Sequence, residues 1–339
     1  MEKDFRLDLK QGPYFHSYSR NGRDLLLGGQ RGHVALFDWH KPRIKTELQL
    51  EERINDVCTL FDDSLFAVAQ KKHLYMYDNN GIEIHCIRKH KFVHKLTYLP
   101  YHFLLCSIGK FGILKYIDIS TGEDVSALNT KSGPCGVMQQ NPWNAVIHLG
   151  HLNGSVTLWS PKTLKPLAKM LCHKAPVTSV NIDMLGRYLV TSGADNKIKV
   201  WDLRKFGLLH GHHKKVSKPN CVALSQKNML AVAEGPRVSV YENIVVKKLD
   251  NQVKRALFPG HRITSVSFCP FEDALGLSKS EGFSTLMVPR SGEADFDSLE
   301  INPFETKGEK KNRLVRSLLD KVQPELITLN PNDIGKILN

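Results

Sequence analysis

The sequence predicts an all-β, seven-bladed propeller, and three observations carry that prediction. A turn residue, alternating apolar positions, a bulky apolar anchor and usually an acid recur seven times, with anchors at Phe37, Tyr77, Ile117, Trp159, Trp201, Tyr241 and Met287. The anchors are 40, 40, 42, 42, 40 and 46 residues apart, a period that suits one four-stranded blade per repeat. Ahead of each anchor lies a second strand-length apolar run, and in most units a third, bounded by Gly, Asn or Asp.

The elements follow in order. The second runs fall at 24–29, 65–69, 103–107, 145–150, 188–193, 229–233 and 274–278; the third is clearest at 177–182 and 263–268. An outer strand after each anchor completes a four-stranded antiparallel sheet. One such sheet cannot bury both of its faces, so the units stack radially into a ring. The seventh unit supplies only three strands before Pro289, and the alternating segment Phe5-Arg6-Leu7-Asp8-Leu9 is expected to supply the fourth. The propeller is thus expected over 1–288 and an extension over 289–339.

In the extension, 290–307 reads as a strap and 308–322 has helical spacing. Leu314, Val315, Leu318, Leu319 and Val322 form one apolar stripe, and Pro324 ends the helix. So short a helix needs a packing partner. Two placements stand: docking on the chain's own propeller, or a groove on another protein. Leu326 and Ile327, then Ile334, Ile337 and Leu338, read as a further anchor.

With 41% hydrophobic and 24% charged residues, the composition is that of an ordinary globular protein. The chain has no apolar run long enough to span a bilayer, and its start lacks a signal peptide's pattern. The seven cysteines are spread evenly, never as C-x-x-C, and read as small buried hydrophobes in a reducing compartment. No metal or nucleotide cofactor is expected. His210, His212 and His213 stand among lysines that would repel a cation, and the Gly-rich turns never form G-x-x-x-x-G-K-[ST].

The formal charge is +13, with +14 on residues 1–288 and −1 on the rest. Such an excess favours polyanionic partners. Three basic clusters fall where an outer strand leads to the next inner strand: Arg88-Lys89-His90-Lys91 with Lys95 beyond, His173-Lys174, and 210–218 with Lys214, Lys215 and Lys218. They are expected to share one face that suits a phosphate backbone, the alternative being loops that serve solubility alone. Lys247, Lys248, Lys254 and Arg255 are expected at the opposite rim.

The fifth unit, Cys172-His173, 177–182, then Thr191-Ser192-Gly193-Ala194-Asp195 through Trp201-Asp202, resembles a WD repeat. That resemblance implies a buried structural network of His173, Ser192, Asp195 and Trp201. The same residue types could make a hydrolase triad, but in a WD blade they satisfy one another inside the sheet. Longer strings resemble a more particular family: Gly12-Pro13-Tyr14, residues 19–23, 28–39, 78–86, 140–151 and 268–273, then Val288-Pro289, Gly292-Glu293, Asn302-Pro303-Phe304, 316–321 and Pro324-Glu325-Leu326-Ile327. These are similar to the BING-four-type WD-repeat proteins of the small-subunit processome, over residues 5–331. The resemblance implies a nucleolar, non-catalytic scaffold in pre-ribosomal RNA processing. Its implied partners are other processome proteins, WD-repeat propellers among them, together with pre-ribosomal and small nucleolar RNA, with no membrane or small-molecule substrate. The family's long basic arms are short or absent in this sequence. A generic WD adaptor that holds a peptide on its rim is the second reading, and an enzyme built on a propeller the third.

Overall fold

The computed structural model of the chain describes residues 5–61, 64–213, 218–242, 252–294 and 304–333. Its strands form seven antiparallel sheets of four, one for each repeat. Blade one runs outward through Tyr14–Tyr18, Asp24–Gly29, His33–Asp38 and Arg43–Gln49. Blades two to six span 54–87, 93–129, 135–171, 177–213 and 221–257, and blade seven holds 263–287.

Burial follows position in the blade. The second strands Asp24–Gly29 and Ala274–Lys279 are buried at every residue, because both faces meet neighbouring blades. The outer strand Arg43–Gln49 is mostly exposed. At two seams the close approach of blades needs a missing side chain: a Cβ on Gly28 would lie 2.5 Å from Val57 of blade two, and one on Gly150 would lie 2.9 Å from Val177 of blade five. The anchors also mark a kink. Pairing with the outer strand slips at Phe37, Tyr77, Ile117, Trp201 and Tyr241, where a bulge increases the twist of the blade's edge.

The ring closes in blade seven. Strand Arg6–Asp8 pairs antiparallel with Gly282–Met287, setting Leu7 opposite Phe283. The Phe5 ring lies 5.9 Å from Phe37, 6.5 Å from Trp39 and 5.8 Å from Phe283, so it joins blade one to blade seven. On the channel side of the same seam, His16 bonds Ser278 at 2.6 Å, Ser265 at 2.9 Å and Ser267 at 2.7 Å. Burial, with Lys95 nearby, pushes this imidazole down to about 3, so it is neutral near pH 7.

The C-terminal helix is Lys307–Leu319, with Thr306 as N-cap and Glu309 completing a capping box. It is one residue earlier at its start and three shorter at its end than the sequence spacing suggests. Val322 lies beyond it, in a strap that crosses blades three and four. Val322 N–H donates to the Tyr101 carbonyl at 3.0 Å, Lys321 meets Asp118, and Ser160 Oγ donates to the Ile327 carbonyl at 2.7 Å. Ile327 is buried with Trp159 in the largest apolar cluster, whereas Leu326 is exposed. Residues 334–339, and with them Ile334, Ile337 and Leu338, lie outside the described residues.

Deleting residues 1–10 removes the outer strand of blade seven and the packing of Phe5, Leu7 and Leu9. At about 1 kcal/mol for each partly buried side chain and about 2 °C per kcal/mol for a chain of this size, the melting temperature should fall by about 6 °C, as read by circular dichroism. An unchanged melt would mean that the seam holds without this strand.

Candidate nucleic-acid interface

Strand direction alternates outward from the channel, so two kinds of connection emerge on one face: those entering an inner strand, and the turns between second and third strands. Among the described residues this face carries Lys10, Arg31, Arg53, Lys71, Lys72, Arg88, Lys89, Lys91, Lys110, Lys131, Lys174, Lys218 and Arg262, against Glu51, Glu52, Asp195 and Glu281. It is a basic face. Arg88, Lys89, Lys91, Lys174 and Lys218 are all exposed on it, although Lys89 also pairs with Asp124 at 3.0 Å.

Several expected placements change. Lys95 is in the inner strand Val93–Leu99, where it lines the channel, pairs with Asp56 at 3.1 Å and sits 5.2 Å above the Phe15 ring. It is therefore withdrawn from the rim. His210, His212 and His213 belong to the outer strand Gly207–His213, not to the connection after it, because pairing with Lys197–Asp202 extends to His213. Lys254 and Arg255 likewise lie within the outer strand Gln252–Leu257. Lys214, Lys215, Lys247 and Lys248 lie outside the described residues.

The basic loops are held from below by buried relays. In blade five, His173 Nδ1 faces Asp195 at 3.0 Å, Nε2 meets Thr191 Oγ1 at 2.9 Å, and Trp201 Nε1 donates to the same hydroxyl at 3.1 Å. The Thr191 hydroxyl can thus donate to His173 while accepting from Trp201. The relay hydroxyl is therefore Thr191, not Ser192: adjacent strand residues point to opposite faces, and Ser192 Oγ instead meets Thr178 Oγ1 at 2.8 Å. Blade four builds a similar relay from other positions: His151, at the end of the second strand, has Nε2 2.6 Å from Thr157 of the third strand, and Trp159 Nε1 donates to the same hydroxyl at 2.8 Å. The repeat pattern did not reveal it because neither the His nor the hydroxyl stands where blade five has its own. In blade three His90 bonds Ser107 at 2.6 Å, and Lys115 Nζ donates to the Lys89 carbonyl at 2.6 Å. Burial pushes His90 and His151 down to about 4 and lowers His173 as well.

The opposite face carries the helix across one mouth of the central channel, a space of about 1680 Å³. The side turned to the channel is polar and includes Glu309, Asn312, Arg313, Arg316 and Ser317. Arg313 pairs with Glu305 at 3.0 Å, its guanidinium 6.0 Å from the Phe61 ring centre. The predicted stripe points outward: Leu314 is 38% exposed, Val315 49%, Leu318 41% and Leu319 79%. The helix thus docks on its own propeller, but by its polar side.

Known proteins share these sequence features. Residues 164–202 match the WD domain G-beta repeat, and residues 253–330, from the outer strand of blade six through blade seven and the strap, match the BING4CT (NUC141) domain. By these matches the chain carries a WD repeat and a BING4CT domain. It is 42% identical over 99% of its length to U3 small nucleolar RNA-associated protein 7 of Saccharomyces cerevisiae, covering 63% of that protein. It is also 42% identical to WD repeat-containing protein 46 of Mus musculus and 41% identical to that of Caenorhabditis elegans, over 99% of this chain in both, covering 54% and 58% of them. The chain thus spans between about half and two thirds of these relatives' length. Among the described residues of this BING4CT protein, no group of three or more His, Cys, Asp or Glu could hold a metal ion. No helix among them is long and apolar enough to cross a membrane.

Two outcomes follow. The neutral imidazoles of His16, His90, His102, His148 and His151 are depressed to about 3 or 4 by burial, whereas in the unfolded chain they titrate near about 6.5. As pH falls, the unfolded state gains protons before the folded one, so stability is full above about pH 6.5 and falls toward pH 4. Thermal melts from pH 7.5 to 4.5 should show that decline, and a flat profile would contradict it. Leu319→Asp, at an exposed site, should change stability by no more than about 0.5 kcal/mol in urea unfolding; a larger loss would place the stripe in an internal contact.

Proposed function

We propose that the protein is a non-catalytic scaffold of the small-subunit processome that supports the folding and processing of pre-ribosomal RNA in the nucleolus. The observation that carries this reading is identity of 42% across nearly the whole chain with a protein named for its association with U3 small nucleolar RNA. The basic face supports an RNA role: exposed Arg88, Lys89, Lys91, Lys174 and Lys218 suit phosphates, and released counterions would supply much of the affinity. Lys214 and Lys215 belong to the same proposal by sequence position. The partners are pre-ribosomal and small nucleolar RNA on this face and processome proteins, other propellers included, elsewhere. The outward stripe of Leu314, Val315, Leu318 and Leu319 suits a protein contact.

Absence of catalysis is part of the proposal. His173 has both ring nitrogens engaged by Asp195 and Thr191 and is buried, so it serves the fold rather than activating a nucleophile. A generic peptide-binding adaptor is the alternative, and salt separates the two.

Replacing Lys89, Lys91, Lys174 and Lys218 by Glu should weaken binding of single-stranded RNA, measured by fluorescence anisotropy. It should also flatten the slope of log affinity against log salt by about 0.7 for each phosphate that is no longer neutralised, while circular dichroism stays unchanged. Equal affinity at low salt in wild type and variant would sink the RNA role of this face.

A further inference from the structure

Two exposed phenylalanines stand among the cations of the basic face. Phe92 is 42% exposed and Phe111 69% exposed, their ring centres 6.4 Å apart at 88°. With Lys89, Lys91 and Lys115 they line a recess of about 250 Å³.

The repeats show that the fold does not ask for aromatic residues here. Phe111 precedes the glycine that opens the third strand of blade three; in the other six blades this position is Arg31, Lys71, Asn153, Asp195, Gly235 and Glu281. Phe92 precedes an inner strand, where other blades have Pro13, Arg53, Pro134, Pro176 and Arg262. Phe92 also has a φ of 53°, the left-handed region that a bulky residue rarely occupies. Its backbone is pinned there, N–H donating to the Lys72 carbonyl and C=O accepting from Lys110 N–H, both at 3.0 Å. Core burial compensates neither residue's placement, and strain held at an exposed site points toward function.

The surroundings name the ligand. Lys91 lines the recess and Lys110 is the chain neighbour of Phe111; both are exposed, and among the described residues neither pairs with a carboxylate, Asp124 being taken up by Lys89. Lys110 and Arg53 add to burial in pulling the His94 imidazole down, which reports a positive local field. An open aromatic face between cations suits a base flanked by phosphates, whereas the bases of a duplex are shielded by stacking on one another.

We propose that Phe111, supported edge-on by Phe92, is a stacking platform for one unpaired base of single-stranded RNA whose neighbouring phosphates lie against Lys91 and Lys110. The proposal rests on the RNA reading of this face and sharpens it from charge to a defined nucleotide site.

The test titrates the full chain into a labelled oligouridine carrying one 2-aminopurine, with duplex RNA as comparison, at 50 and 200 mM salt. Phe111→Ala should weaken single-strand binding about fivefold or more, the effect of removing one aromatic stack, and abolish the quenching of 2-aminopurine. It should leave the salt slope, duplex affinity and thermal melt unchanged, and Phe111→Trp should retain binding. Lys91→Gln with Lys110→Gln should instead flatten the salt slope. If Phe111→Ala keeps single-strand affinity and quenching while the lysine variant weakens binding, the platform is overturned and the RNA reading stands. Should the wild type bind no RNA at 50 mM salt, both fall. Loss of an acidic polypeptide ligand on Phe111→Ala, with RNA affinity intact, would overturn the platform in favour of a protein contact.

Discussion

Everything in this molecule depends on closing a ring whose two ends are not adjacent in the chain. Seven sheets bury their faces only if every blade has two neighbours, so the contact between blades seven and one supports the other six. Three interactions of different character hold it: the backbone ladder of Arg6–Asp8 on Gly282–Met287, the Phe5 ring between Phe37, Trp39 and Phe283, and the His16 imidazole among three serines. The imidazole has the firmest requirement. Charging it would place a second cation near Lys95 in a half-buried seam where serine hydroxyls replace most of the water, which is why desolvation holds it neutral.

The closed ring separates two surfaces that do unlike work. One gathers the connections into inner strands and is rich in lysine and arginine, with loops tied down by buried pairs of His and hydroxyl groups. The other is crossed by the BING4CT strap, anchored at Ile327 and at Lys321 on Asp118. Between them the helix closes the channel mouth with its polar side, leaving leucines toward solvent. Apolar surface displayed this way is uncommon on a monomer and usually marks an interaction site.

The sequence was most legible where periodicity speaks. A forty-residue ladder of bulky anchors announced the propeller, and most of those anchors proved to be the bulge positions that bend the outer strands. It was less legible where one residue of parity decides. Thr191 and Ser192 are chemically alike, and only the pleat determines which hydroxyl reaches His173. Strand ends were hidden for a similar reason: a His-rich run reads as a loop, yet His210, His212 and His213 continue the ladder because their backbone, not their side chains, makes the pairing. Leu314, Val315, Leu318 and Leu319 share the helix while Val322 falls beyond it, and amphipathicity cannot say which side a polar channel mouth will hold. Arg313 with Glu305 and Phe61 made that choice.

The seam also sets the order of events during synthesis. Phe5 hydrogen-bonds a residue 280 positions away, so the propeller strand that is made first is among the last to find its place. Blades one to six can form as local units while that strand waits unpaired, and closure then brings together ends separated by almost the whole chain. Long-range pairing of this kind is slow and leaves an open sheet edge in the meantime. The edge exposed is Gly282–Met287 of blade seven, made just before the BING4CT strap emerges. A nascent chain of this fold therefore has one moment of greatest vulnerability, late and at a known place, when a chaperone or a neighbouring subunit would have the most to protect.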